Sequence, residues 1–296
     1  MHNHTNKTSL IFKETDLNKL LNLAIEAALA GAEILRNYSL KKTELIITKK
    51  NNAIVTQADY ESEIAIINKL KSNTEYYVGF LAEESGKSND TSVIWCIDPL
   101  DGTTNFLHGI PHYAISIALV AKEGTTINNS VLSKETPILG VIYDPCRKEL
   151  FTSLFGFGSC LNKQKIFCSN KDNLNKSIIA IGLPSNNYTN QTIQTKIARK
   201  ITKQASSIRK MGSASLDLAW VACGRYDGYI ELDLSPWDTA AGTIILREAN
   251  GMCEDMLQQK PWPSNGWVLA SNSKLYENIT EELQDILCYK SYYNIS

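Results

Sequence analysis

The sequence carries almost no net charge: 30 Lys and Arg stand against 31 Asp and Glu, for a formal charge of −1. No global field draws such a chain to nucleic acid or to an anionic membrane, so a charged substrate has to be met locally. Paired cysteines are lacking as well. The seven, Cys96, Cys146, Cys160, Cys168, Cys223, Cys253 and Cys288, are scattered and odd in number, with no Cys-x-x-Cys. That excludes an evident zinc site or disulfide framework and predicts buried free thiols in a reducing compartment. Long hydrophobic runs are missing too. The longest, Tyr113 to Ala121, is too short to cross a bilayer. The polar N-terminus has only Ser9-Leu10-Ile11-Phe12 as an apolar run, too little for a signal-peptide core. Repeats and low-complexity segments are absent. A cytoplasmic, non-membrane globular protein is the expectation, and 43% hydrophobic with 21% charged residues suits it.

What is present alternates between helical and strand patterning, which predicts a layered α/β or α+β architecture. Residues 1–15 read as a flexible tail, and 16–296 as one two-lobed domain: an N-terminal α+β lobe over 16–150 and a C-terminal α/β lobe over 151–296. Asp16 is positioned to cap a helix from Leu17. A second helix near Asp59 is predicted to turn Ile64, Ile67 and Leu70 inward. Strands are predicted over Tyr76–Ala82, Val93–Ile97, Tyr113–Val120, Leu139–Tyr143, Ser177–Gly182 and Asp227–Leu232, and helices over Thr192–Gln204, Ala214–Cys223 and Thr239–Ala249. Phe151–Asn162 reads as turn-rich.

One stretch stands apart: Asp98-Pro99-Leu100-Asp101-Gly102-Thr103-Thr104-Asn105-Phe106. Two acids flank a proline at the end of a strand, where α/β proteins commonly place ligands. Their carboxylates and the Leu100 carbonyl form an oxygen donor set, which suits Mg²⁺ better than Zn²⁺. Gly102 lets a ligand approach the backbone. A helix starting there would offer N–H groups to an anion. The alternative is a plain turn with a threonine cap. Other acids are ambiguous alone. Glu83-Glu84 reads as an exposed acidic loop, Asp59 and Asp238 as first-turn helix acids, and Glu231 as a solvated strand residue. His108 and His112 read as packing or hydrogen-bonding side chains near the loop.

Together, three motifs resemble those of the inositol monophosphatase family of Mg²⁺-dependent, lithium-sensitive phosphatases: Leu81-Ala82-Glu83-Glu84-Ser85, the segment Trp95 to Phe106, and Pro236-Trp237-Asp238-Thr239-Ala240-Ala241-Gly242. Arg209 to Ala214 and Tyr226 to Glu231 are similar to further family segments. The resemblance implies a layered αβαβα sandwich of the inositol monophosphatase/fructose bisphosphatase type, commonly a homodimer. It implies two or three Mg²⁺ ions, in keeping with paired-metal hydrolysis, held by Glu83, Asp98, the Leu100 carbonyl, Asp101 and Asp238. Asp59, Thr103 and Glu83 would be the catalytic residues, Asp59 with Thr103 or Glu83 taking the proton of the attacking water. Gly102 and Thr103 would bind phosphate. Asp101, Ala214, Glu231 and Asp238 would meet the substrate, and Lys49 would be a basic residue on a mobile loop. The implied substrate is a small phosphomonoester, myo-inositol monophosphate first. Related sugar phosphates, NADP or 3′-phosphoadenosine nucleotides are the alternatives. So is a regulatory binding role with residual activity, since some bacterial relatives bind RNA polymerase or ribosome-assembly factors; lacking a basic stretch, the chain is not expected to bind nucleic acid itself. Thr125 to Glu135 lengthens a hairpin that the family crosses in a few residues, and reads as a disordered surface insertion.

Overall fold

A computed structural model describes residues 11–41, 47–50, 53–72, 78–89, 91–182 and 188–293. Two sheets and three helix pairs alternate in five layers. The larger sheet has the order β13 (Gln164–Lys165), β12 (Gly158–Leu161), β11 (Glu149–Leu154), β10 (Thr136–Asp144), β7 (Ala114–Ala121), β6 (Val93–Asp101), β4 (Gly79–Ala82) and β5 (Gly86–Ser88). It is antiparallel except for the β4–β6 pair. The smaller sheet has the order β15 (Ser207–Arg209), β14 (Ile178–Ile181), β16 (Gly228–Glu231), β18 (Val268–Asn272) and β17 (Gly251–Asp255). The larger sheet runs on through Lys165, so the division between the sheets falls beyond residue 150.

Helices α1 (Glu14–Lys41) and α2 (Gln57–Lys71) cover the outer face of the larger sheet, and α5 (Ala214–Ala222) and α6 (Pro236–Arg247) lie between the sheets. Helices α4 (Tyr188–Thr202) and α7 (Ser273–Tyr293) close the far face. Three apolar cores fill the gaps: one under α1 and α2, one around α5 and α6 between the two sheets, and one under α4 and α7. Helix α5 shows why the middle layer forms. Eight of its nine residues are buried, and a helix apolar on every side has to be covered on every side. This is the layered α+β arrangement anticipated above.

Several local expectations change. Within the 1–15 tail, β1 (Ile11–Phe12) pairs in parallel with β8 (Thr126–Ile127), which pairs with β9 (Ser130–Val131). The 125–135 insertion is therefore not a disordered loop. It is a hairpin whose Ile127 and Leu132 join Phe12 in the first core, and the apolar contact of those three side chains is what orders both segments. Helix α1 starts before Asp16, which accepts from the Lys13 N–H at 2.9 Å from inside the first turn. Ile64 is 59% exposed, because α2 turns Asp59, Ser62, Glu63, Ile66 and Leu70 inward instead. The turn-rich 151–162 stretch is mostly the β11–β12 hairpin. The described cysteines are free thiols, but only Cys96 and Cys253 are buried. The elements β17, β18 and α7 carry no motif and lie outside those the sequence pattern predicts. Among the described residues no helix is long and apolar enough to cross a membrane.

Candidate active site

Strand β6 extends through both acids of the central motif to Asp101. In a regular strand, residues three apart point to opposite faces. Here the register slips: Asp98 lies opposite Ser116, and Asp101 opposite Ala114. Two steps on the partner face three on β6, which is a β-bulge, and it brings both carboxyls to one side. Pro99, which has no N–H to give a ladder, stands inside the bulge. The Leu100 N–H donates to Asp98 Oδ1 at 2.9 Å and fixes that side chain.

Gly102 follows with φ of 97° and precedes the five-residue helix α3 (Thr103–Leu107). A Cβ at Gly102 would lie 3.2 Å from the carbonyl oxygens of Gly212 and His112. Positive φ and this close approach together require glycine. The Thr103 hydroxyl lies 3.1 Å from Asp59 Oδ1 and 3.1 Å from the Leu100 carbonyl. Asp59 is also what the plain reading made it, a first-turn helix acid. Its Oδ2 accepts from the Thr56 N–H at 2.8 Å in a capping box. One carboxyl thus starts a helix with one oxygen and faces Thr103 with the other.

Helix α2 holds the neighbouring segments as well. Glu63 accepts from the N–H groups of Glu84 and Ser85 at 2.8 Å each, and the Ser62 hydroxyl donates to the Pro99 carbonyl at 3.0 Å. Glu83 and Glu84 are therefore not an exposed acidic loop; Glu84 is buried. Thr56, Ser62 and Glu63 escaped the sequence reading, though Ser62 and Glu63 stand at the i+3 and i+4 positions from Asp59, which share its helix face.

The far half of the chain reaches the same place from α5 and α6. Asp238 sits in the first turn of α6, where its Oδ2 accepts from the Ser235 N–H at 2.7 Å in a second capping box. Asp98 is within hydrogen-bonding reach of both Glu83 and Asp238. Asp101 is gripped by the start of α5: the Ser213 hydroxyl donates at 2.6 Å, the Ser215 N–H at 2.7 Å and the Ala214 N–H at 3.3 Å, with the Ser215 hydroxyl donating too. Ser213 and Ser215 are further residues the sequence reading missed. Asn105 ties the turn to the same segment, donating to the His112 carbonyl at 2.7 Å and the Met211 carbonyl at 2.8 Å.

Burial is the main reason these acids resist ionisation. It pushes the Glu83 carboxyl up to about 9, with the Asp238 and Glu84 charges adding to it. Burial raises Asp98 well above the carboxylate range, helped by Glu83, Asp101 and Asp238. Asp101 is raised by burial although its donors pull it back, and burial with the Asp101 charge lifts Asp238 to about 7. No lysine or arginine is a leading influence on any of the four. Among the described residues no three acids, histidines or cysteines are already arranged to hold a metal ion. A largely buried acidic set with no lysine or arginine among its leading influences is what a hard divalent ion would compensate, and its all-oxygen donors fit Mg²⁺.

Glu231, on β16, is lifted by burial to about 7, with the Asp238 and Asp101 charges adding to it and the Tyr229 hydroxyl and the Lys210 charge opposing it. Ala214 is buried at the head of α5. Lys49 lies in β2 (Ile47–Lys50), which pairs with β3 (Ala53–Thr56), the strand leading to Asp59; its side chain lies outside the described residues. His108 is exposed. His112 is buried with neither ring nitrogen partnered, and burial lowers it to about 4. It packs edge-on to Trp220 at 5.2 Å between centroids, as a structural histidine.

Comparison with known proteins agrees with this geometry. The family model described as Inositol monophosphatase family matches residues 16–287. Proteins named Nus factor SuhB are among the relatives: that of Escherichia coli K12 is 36% identical over 278 residues, covering 92% of this chain and 99% of the relative. That of Pasteurella multocida is 35% identical over 274 residues, covering 92% and 98%. Among solved structures, the extragenic suppressor protein suhB from Bartonella henselae superposes with a TM-score of 0.80 at 34% identity, over 90% of this chain and 98% of that one. The inositol monophosphatase of Anabaena sp. PCC 7120 gives 0.74 at 34% identity, over 91% and 97%. With a family model spanning nearly its whole length, and a bulged Asp98–Asp101 strand meeting Asp59, Glu83 and Asp238, the chain belongs to the inositol monophosphatase family.

Proposed function

We propose that the chain is a Mg²⁺-dependent phosphomonoesterase whose substrate is a myo-inositol monophosphate. The observation that carries this reading is the convergence of four acids, Asp98 and Asp101 buried and Glu83 and Asp238 half-buried, with no lysine or arginine among the leading influences on them, beside the Thr103–Asp59 pair. Glu83, Asp98, the Leu100 carbonyl, Asp101 and Asp238 would hold two or three ions. When bound, such ions polarise phosphoryl oxygens, acidify water and stabilise the leaving alkoxide. Asp59 takes the proton of the attacking water through or beside the Thr103 hydroxyl, with Glu83 as the alternative base. Gly102 and Thr103 would receive the phosphate at the start of α3. Asp101, Ala214, Glu231 and Asp238 border the alcohol, and Lys49 supplies positive charge near the phosphate. Phosphate release from myo-inositol 1-phosphate, fructose 1,6-bisphosphate, NADP and 3′-phosphoadenosine 5′-phosphate, compared by kcat/KM with Mg²⁺ and with chelator, tests the reading. Preference for the inositol ester supports it; preference for another member assigns the substrate elsewhere in the group.

A second reading rests on the name of the relatives. Proteins 35–36% identical to this chain are called Nus factors, so a binding role beside catalysis is the alternative. That name also removes the support for excluding nucleic acid as a partner, which rested on near-neutral charge and the lack of a basic stretch. A pull-down from native extract with wild type and Asp98→Asn separates the roles. A partner retained by the inactive variant supports a binding function independent of chemistry, and a partner lost with activity refutes it.

A further inference from the structure

Glu231 does not reach its position unaided. Tyr229 and Glu231 are two residues apart on β16 and so share a face of the sheet. The strand is paired on both sides, with β14 and with β18, so neither residue can shift along the chain. Tyr229 is wholly buried in the middle core, yet its hydroxyl donates to Glu231 Oε2. A buried tyrosine needs a partner for its hydroxyl, and this one has a carboxylate. Burial and the nearby Glu231 and Asp217 charges push the phenol far above its usual range, so it remains a donor at every physiological pH.

Gly182 supplies the space. Its N–H donates to the Ile230 carbonyl at 3.1 Å, which fixes it beside β16. A Cβ at residue 182 would coincide with the Glu231 carboxyl. Only a residue without a side chain leaves that position free, and among the described residues the tyrosine hydroxyl holds the carboxylate there. From α5, Asp217 approaches the same pair, buried and with Oδ1 unpartnered. Burial and the Glu231 charge raise its carboxyl well above the usual range.

We propose that Tyr229 and Gly182 are positioning residues for substrate choice: they lock the Glu231 carboxylate, with Oε2 held by the phenol, to meet a substrate hydroxyl, so that esters of polyhydroxylated alcohols are favoured over simple ones. The inference rests on Glu231 facing the alcohol, as in the proposed function. A carboxylate held in place discriminates because no binding energy is lost in ordering it, and because a substrate without the hydroxyl leaves it unpaired. Losing a hydrogen bond to a charged group corresponds to about a tenfold effect.

The test compares the full chain with Mg²⁺ on myo-inositol 1-phosphate and on phenyl phosphate, which has no hydroxyls to recognise. Tyr229→Phe is expected to raise KM for the inositol ester and to lower the ratio of the two kcat/KM values about tenfold. Gly182→Ala is expected to lower it likewise without touching the tyrosine, and it carries the test if Tyr229→Phe does not fold. In a Glu231→Gln background, Tyr229→Phe is expected to change the ratio less than about twofold, because it acts through Glu231. Equal loss on both substrates, or an unchanged ratio, overturns the inference alone. A wild type that does not prefer the inositol ester, with Glu231→Gln also without effect on the ratio, overturns the proposed function and the inference with it.

Discussion

Thr103 Oγ1 lies 3.1 Å from Asp59 Oδ1, although 44 residues separate them and they head different helices, α3 and α2. The same Asp59 closes the capping box of α2 with its other oxygen. A carboxylate fixed at both ends is poised for proton transfer without having to be ordered first. Asp238 is anchored in the same way at the start of α6. Two helix starts therefore deliver two acids, from opposite faces of the larger sheet, to the bulged end of β6.

If Asp59 and Thr103 act as a pair on the attacking water, Asp59→Asn should lower kcat by about 10²–10⁴-fold, the usual size of a general-base contribution. KM should stay within a few-fold. Thr103→Ser should keep most of the rate, and Thr103→Val should lose it. Steady-state kinetics on any accepted phosphomonoester check this; a normal kcat in Asp59→Asn would reassign the base to Glu83.

The raised acids make a prediction about stability. For Glu83, lifted to about 9, and for Asp98 and Asp238, lifted with it, the folded chain binds protons more tightly than the unfolded chain. Their contribution is fully present below the ordinary carboxylate range and is lost as pH rises through about 9. In chelator, Tm should therefore fall as pH rises over that window. Mg²⁺ competes with those protons, so its stabilising effect should grow over the same range, by about 2.7 kcal/mol at a hundredfold excess over Kd. Thermal melts at several pH values, with and without Mg²⁺, provide the check.

The motif Asp98 to Phe106 was legible because its residue types and order are unusual, and Glu83 and Asp238 were legible by association with it. The bulge was not, because strand patterning says nothing about a register slip between Asp98 and Asp101. The resemblance marked the segment Arg209–Ala214, but not the grip of Ser213 and Ser215 on Asp101, since a serine near a helix start looks like any cap. Glu63 carries no motif, and only the fold shows it holding the Glu83–Ser85 turn. The layered fold followed from alternating patterning, whereas α7 was missed for want of a motif.

Ser215 offers a direct test of that grip. Its N–H and hydroxyl both reach Asp101 Oδ2, and Ser215→Ala removes one donor from a buried carboxyl. A loss of about 1–3 kcal/mol in stability is expected, together with weaker Mg²⁺ binding. Chemical denaturation and Mg²⁺ titration of the variant measure the two effects.

The small sheet joining the N-terminal segment to the insertion should behave as structure rather than as part of the catalytic machinery. Phe12 is fully buried with Ile127 and Leu132. Phe12→Ala should cost about 3–5 kcal/mol, as large-to-small core changes do, while kcat below the melting range stays near that of wild type. A fall in kcat at full folding would give this sheet a role in the site.

The most direct test of the central claim is phosphate release from myo-inositol 1-phosphate by wild type and Asp98→Asn, each with Mg²⁺ and with chelator, alongside a thermal melt of both. The account predicts release that saturates with Mg²⁺ in wild type, vanishes in chelator and is abolished in a folded Asp98→Asn, whose Tm no longer responds to Mg²⁺. Undiminished, Mg²⁺-independent turnover by Asp98→Asn would contradict it.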